Sequence, residues 1–174
     1  MVAFSGWIAS HTPLPGFALK LDASPFSRWM QIHGAIPVLQ TIHIYAISML
    51  FTGFLMLTSR IFMIGNKSRT LAQTLNRFMP WIWWCLLVLT ITGWLLAIAE
   101  PPRDLLNPAF WTKMVFVPST ALLLLWFQTS MRRHVIDWDT PRGGPVAVKA
   151  ASIGFILLWL TIMALGRWIA YVPT

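Results

Sequence analysis

The chain has 174 residues, of which 57% are hydrophobic and 10% are charged, and its formal net charge is +8. Soluble domains carry about 25% charged residues, so this composition argues against a water-soluble globular domain. The basic residues stand at the ends of long apolar runs and form no patch. This distribution argues against a nucleic-acid partner and favours contact with the headgroups of a lipid bilayer.

Residues 1–35 predict a tail that leads into a short amphipathic helix lying in the membrane interface. Pro13, Pro15 and Gly16 interrupt the apolar character of the tail. Ser24 followed by Pro25 is typical of a helix N-cap with proline at the first helical position. Residues at helical spacing then form one face, namely Phe26, Trp29, Met30 and His33. Gly34 and Pro37 mark the end of this helix.

Residues 36–174 predict four membrane-spanning helices. A span needs about 20 apolar residues, because roughly 30 Å of hydrocarbon is crossed at about 1.5 Å per residue. Four continuous apolar runs are long enough, at about 36–59, 78–99, 114–131 and 146–172. Continuous runs without alternation argue against strands. The predicted fold is therefore all-α, an integral membrane four-helix bundle with a short interfacial helix before it.

The lysine and arginine residues of the connections predict the orientation of the spans. The connections after spans one and three hold eight basic residues, namely Arg60, Lys67, Arg69, Arg77, Arg132, Arg133, Arg142 and Lys149. The opposite side holds five, namely Lys20, Arg28, Arg103, Lys113 and Arg167. Since cytoplasmic loops are enriched in such residues, both termini are predicted outside.

His43 is the most informative candidate for a functional site. It lies about 10 Å inside the first predicted span at the helical rise. An imidazole in hydrocarbon is costly unless it is paired or ligated. One interpretation is a neutral ring hydrogen-bonded to Thr41, to Ser48 or across the bundle. The other is an axial ligand of haem b, or a metal ligand.

Glu100 and Arg167 form a second candidate, because both fall at the outer ends of predicted spans. They are predicted to pair, and the alternative is an arginine that snorkels to the interface. Haem propionates require cations at this level, for which Arg167 and Arg103 are the candidates. The second axial ligand is open, since spans two and four contain no histidine. The iron is then five-coordinate, or it takes His33, His11, a methionine or a residue of a partner chain. His134 is placed at the far face.

Three methionines recur every seven residues along span one and its end, namely Met49, Met56 and Met63. Thioether sulfurs are soft ligands that suit Cu(I). Flexible apolar packing explains the same stripe. Copper handling therefore remains a third interpretation.

The motif order resembles that of a family of small four-helix bacterial inner-membrane proteins, known mainly as a domain of unknown function. The resemblance covers about residues 22–172. Its motifs are Ser24-Pro25 to Pro37, Ile42-His43-Ile44, Ser59-Arg60 to Gly65, Thr92-Gly93, Ala99-Glu100-Pro101, Asn107-Pro108-Ala109-Phe110 with Lys113, and Gly166 to Tyr171. Thr58 stands where the family pattern leads us to expect an acid, which puts a pairing with the neighbouring arginine in doubt.

The family is also distantly similar to cytochrome b-like and copper-resistance D-like bundles, a likeness that implies redox or metal work. The leading hypothesis is a haem b electron-transfer subunit that works with a periplasmic or membrane redox partner. The rival is a non-catalytic accessory or anchor subunit of a larger membrane complex. Whether the chain is an enzyme is open.

Overall fold

The computed structural model describes residues 12–64, 70–134 and 145–168. Every helix or strand in this part of the chain is an α-helix. In chain order they are α1 (Leu14–Asp22), α2 (Pro25–Ile32), α3 (Ala35–Ile61), α4 (Leu71–Ala99), α5 (Pro101–Leu105), α6 (Pro108–Arg133) and α7 (Val146–Trp168). The helices α3, α4, α6 and α7 are long and apolar enough to cross a membrane. The prediction of an all-α chain with four such helices is confirmed.

Two of the four long helices begin earlier than the sequence patterns predicted. The second begins at Leu71 rather than near residue 78, because Thr70 and Gln73 form a reciprocal capping box before it. The third begins at Pro108 rather than near residue 114, because the Asn107 side chain accepts a hydrogen bond from the Ala109 amide. The described part of the fourth ends at Trp168, so its predicted extension to residue 172 lies outside the described residues.

The N-terminal region contains more helix than predicted. Helix α2 is confirmed, with Ser24 as the N-cap that accepts a hydrogen bond from the Ser27 amide. The part of residues 1–35 that the sequence patterns describe as a tail contains a further helix, α1, at Leu14–Asp22. Proline is tolerated in the first turn of a helix, so Pro13 and Pro15 begin α1 instead of interrupting it.

Helix α2 is attached to the end of α4 by its polar side. Ser27 Oγ donates to the Ala99 carbonyl at 3.2 Å, and Gln31 Nε2 donates to the same oxygen at 2.8 Å. The last carbonyls of a helix have no partner within that helix, so these bonds satisfy one of them. Trp29 and Phe26, which the sequence places on the apolar face, stay exposed and point away from the bundle.

The long helices pack as two antiparallel hairpins, α3 with α4 and α6 with α7. The hairpins meet mainly through α3 and α7, whereas α4 and α6 touch at few points. We call the end of the bundle that holds Ala35, Ala99, Pro108 and Trp168 the upper end. The opposite end, which holds Ile61, Leu71, Arg133 and Val146, is the lower end.

The main apolar core lies toward the lower end and draws on all four long helices. Its centre is aromatic: Phe54 stacks on Phe155 at a centroid distance of 3.7 Å and lies 5.3 Å from Phe127. The upper end has a separate small cluster, made of Ala18, Ala97, Leu105, Ala109 and Phe110. Contacts between large apolar side chains therefore hold the bundle together at the lower end, whereas the upper end accommodates polar side chains.

Candidate functional site

The candidate site lies at the upper end, where α3 and α4 bring His43 and Thr92 together. His43 Nδ1 is 2.7 Å from Thr92 Oγ1. The imidazole packs beside Gly93 of α4: a Cβ at Gly93 would lie 3.6 Å from His43 Cε1, at ordinary van der Waals contact. His43 lies about 12 Å along α3 from Ala35. Of the interactions considered for His43, the structure contains the hydrogen bond across the bundle.

The hydrogen bonds of Thr92 assign the proton on the His43 ring. Thr92 Oγ1 lies 2.7 Å from the Val88 carbonyl, to which it donates its single proton. The hydroxyl can therefore only accept from His43, so we place the imidazole proton on Nδ1. In a neutral ring the other nitrogen, Nε2, then keeps a free lone pair. A nitrogen of this kind can accept a proton or ligate a metal.

Lys113 adds a positive charge near this histidine, and Asp104 lies near the same lysine. Lys113 is partly buried on α6, and its Nζ lies 3.9 Å from the position that a Cβ on Gly166 of α7 would take. Its positive charge is within electrostatic range of both His43 and Asp104. We call His43, Thr92, Asp104 and Lys113 the upper-end cluster, to which α3, α4, α5 and α6 each contribute one residue.

Asp104 lies on the short helix α5, above the long helices. Burial raises the pKa of its carboxyl to about 6, and the nearby Glu100 adds to the rise. The charges of Arg103 and Lys113 oppose it. Asp104 therefore exchanges a proton near neutral pH, at the boundary between the upper surface and the cluster.

Two of the predicted site residues bind each other. Arg103 Nη1 donates to Glu100 Oε2 at 2.6 Å, in a partly exposed ion pair. Arg103 was expected to serve haem propionates, and Glu100 was expected to pair with Arg167. Arg167 lies in the last turn of α7 and is exposed. The Glu100–Arg167 pair and the propionate role of both arginines stay predictions.

The other candidate ligands lie apart from His43. His33 stacks on Trp29 and its Nδ1 is bonded to the Trp29 carbonyl at 2.9 Å, whereas His134 follows α6 at the lower end. Met49 and Met56 are half exposed. Among the described residues no group of three or more His, Cys, Asp or Glu could hold a metal ion. The copper interpretation stays a prediction.

The sequence patterns did not identify Lys113, Asp104 or Thr92 as residues of the candidate site. The available signal was Asn107-Pro108, the same cap-and-proline pattern that correctly placed the start of α2. Reading it as the start of α6 moves Lys113 from a loop to a position about 8 Å inside a long helix. Asn107 itself is fully buried, and its Nδ2 has no hydrogen-bond partner within the described chain.

Four helices long and apolar enough to cross a membrane, with a polar cluster at one end, suggest a small multi-pass membrane protein of the all-helical class. Residues 31–172 match the model of a family of unknown function, DUF6644, and the chain belongs to that family. Comparison with curated proteins and with solved structures gave no match. The expected membership in a family of unknown function is confirmed. None of these comparisons supports the expected likeness to cytochrome b-like or copper-resistance D-like bundles.

Proposed function

We propose that the chain is a haem b-binding electron-transfer subunit of the bacterial inner membrane, with His43 as the axial ligand. The observation that carries the proposal is the bond from His43 Nδ1 to Thr92, which leaves Nε2 unprotonated. Metal-ligating histidines commonly donate their other ring N–H to a carboxylate, a backbone carbonyl or water, which fixes the tautomer and the orientation of the ring. The Thr92 hydroxyl oxygen supplies the acceptor here.

The residues around His43 suit haem b both in their charge and in the type of ligand that they offer. Haem b supplies reversible one-electron chemistry when it is bound. Thr92 holds the imidazole, and Lys113 offers a cation that can pair with a carboxylate in a medium of low dielectric. Burial raises the pKa of the Asp104 carboxyl to about 6, so this group can gain and lose a proton slightly below neutral pH. A second protein ligand to the haem would come from a partner chain, the periplasmic or membrane redox partner of the proposal.

An absorption spectrum tests this function. Purified protein expressed with haem supplied should show a Soret band that shifts on dithionite reduction. His43→Ala should abolish the band, and Thr92→Val should weaken haem affinity by about 10- to 100-fold. The matched control is His33→Ala, which removes an exposed histidine from the same end of the bundle and should keep the band. A colourless protein from its native membrane, with His43→Ala as stable as wild type, would overturn the proposal.

The proposal includes an orientation in which the upper end faces outward and both termini lie outside. It rests on the excess of basic residues at the lower end, eight against five in the sequence. In a Cys85→Ser background, a cysteine at Gly16 should react with an impermeant maleimide in intact cells, since a Cβ there meets nothing within 4 Å. A cysteine at the exposed Asn76 should react only after lysis. The reverse labelling would invert the orientation.

A second function, that of an accessory or anchor subunit, is favoured by the exposed face of α4. Trp84 is 65% exposed and lies about 20 Å from either end of the helix. Within the described chain its indole N–H has no hydrogen bond. Leu87, Ile91 and Trp94 continue the exposed stripe. Tryptophan prefers the membrane interface, so an exposed indole about 9 Å inside the apolar run that begins at Phe78 is better satisfied by a partner helix than by lipid.

Photo-crosslinking in native membranes tests the accessory function. A crosslinking residue in place of Trp84 should capture a discrete membrane or periplasmic subunit. The same residue at Thr161, which is exposed on α7, serves as the control and should capture none. Lipid adducts alone at position 84 would contradict this function and leave the haem proposal standing.

A further inference from the structure

A groove on the outside of the bundle runs between α3 and α4, on the lower half of the molecule. It has a volume of about 470 Å³ and opens to the surroundings rather than being enclosed. This volume is within the range of small-molecule sites, about 300–1,000 Å³. Its lining is mostly apolar and consists of Ser48, Met49, Thr52, Gly53, Arg77, Phe78 and Trp81.

The groove exists because α3 carries small residues where α4 carries large ones. The two helices approach closely at Gly53, where a Cβ would lie 3.2 Å from Ile82 Cγ1. Ser48 is small and its hydroxyl is bonded to the Ile44 carbonyl, so it offers no free donor to an occupant. Met49 and Trp81 rise on the two sides. The floor therefore suits an extended hydrocarbon chain.

Arg77 lines one end of this groove, at the lower end of the apolar run of α4. The apolar run from Phe78 to Ala99 is about 33 Å long, close to the roughly 30 Å of a hydrocarbon core. Arg77 directly precedes that run, and a long arginine side chain can extend from the edge of an apolar segment toward the headgroups. Its side chain is exposed and has no hydrogen bond or ion pair within the described residues. A guanidinium at this level complements a phosphate, which it can bind through two parallel hydrogen bonds.

We propose that the α3–α4 groove binds one anionic phospholipid, with its phosphate on Arg77 and an acyl chain over Gly53 between Met49 and Trp81. The site lies on the opposite half of the molecule from the upper-end cluster and does not depend on haem. A zwitterionic lipid binds more weakly, because the positive charge in its own headgroup offsets the attraction between Arg77 and the phosphate.

Native mass spectrometry of the full chain, with phosphatidylglycerol or phosphatidylcholine added at equal concentration, tests the site. Wild type should retain phosphatidylglycerol preferentially. Arg77→Gln should weaken its binding about tenfold, as expected for the loss of a charge-assisted hydrogen bond. The matched control, Arg133→Gln, removes an exposed arginine from the same end of the bundle but off the groove, and should keep the preference.

Filling the groove separates the acyl-chain contact from the headgroup contact. Thr52→Trp should reduce binding of both lipids, and Ser48→Phe provides a second variant if the first fails to fold. Thr161→Trp, on the exposed face of α7, is the control for added bulk. Equal binding of the two lipids by wild type, or unchanged phosphatidylglycerol binding by Arg77→Gln and the folded groove variants, would overturn the proposal. Competition by inorganic phosphate as strong as that by phosphatidylglycerol would overturn the lipid assignment.

Discussion

The lower and upper halves of the bundle are built on different principles. Below, large apolar side chains from all four long helices interlock around the stacked Phe54 and Phe155. Above, the packed residues are mostly small, and a histidine, a lysine and an aspartate share the space with them. A stable lower half allows the upper half to retain charged groups whose burial costs free energy.

The largest expected effect on stability comes from a substitution in the aromatic centre of the lower half. Phe155→Ala should lower the free energy of unfolding by about 3–5 kcal/mol, because it removes a fully buried ring and leaves a cavity between Phe54 and Trp159. Unfolding by increasing fractions of denaturing detergent measures the change. Leu160→Ala, on an exposed position of the same helix, should cost far less. Equal losses for the two variants would show that the aromatic centre does not hold the bundle.

A smaller effect concerns the pH dependence of the upper half. Because burial raises the pKa of Asp104 to about 6 from its ordinary 3.8, the native state binds more protons than the unfolded state between these values. Stability should therefore fall as pH rises from about 4 to about 6, by at most about 3 kcal/mol. Thermal unfolding across this range measures the slope.

Asp104→Asn should flatten that slope, since the amide does not titrate. Asp22→Asn is the control: this carboxylate accepts a hydrogen bond from Gln31 at the surface, and its replacement keeps Asp104 in place. An unchanged slope in Asp104→Asn would mean that Asp104 is not the group responsible.

The smallest effect sharpens the role of the bond between His43 and Thr92. A double-mutant cycle of His43→Ala and Thr92→Val should give a coupling of about 0.6 kcal/mol, the average for hydrogen bonds between membrane helices, and at most about 1.7 kcal/mol. The cycle is measured on protein free of haem, so that it reports the hydrogen bond alone. Additive losses would show that the two side chains do not interact in the membrane.

The sequence was sufficient to predict the four long helices, because apolar length alone distinguishes them. It also singled out His43, because a titratable ring inside an apolar run is conspicuous. Sequence periodicity could not reveal Thr92, since its partnership with His43 depends on the register between α3 and α4. The expected use of Arg103 illustrates the same limit: a local contact three residues away, with Glu100, competes with any distant partner.

The attachment of α2 to the end of α4 constrains the order in which the protein assembles. Ser27 and the Ala99 carbonyl that it binds are 72 residues apart in the chain. Ribosomes add about 5–20 residues per second, so the first helices wait roughly 4 to 14 s after synthesis before their docking site exists. During that interval Phe26 and Trp29 can hold the nascent segment at the membrane surface. The upper end is therefore completed only after the α3–α4 hairpin has been made.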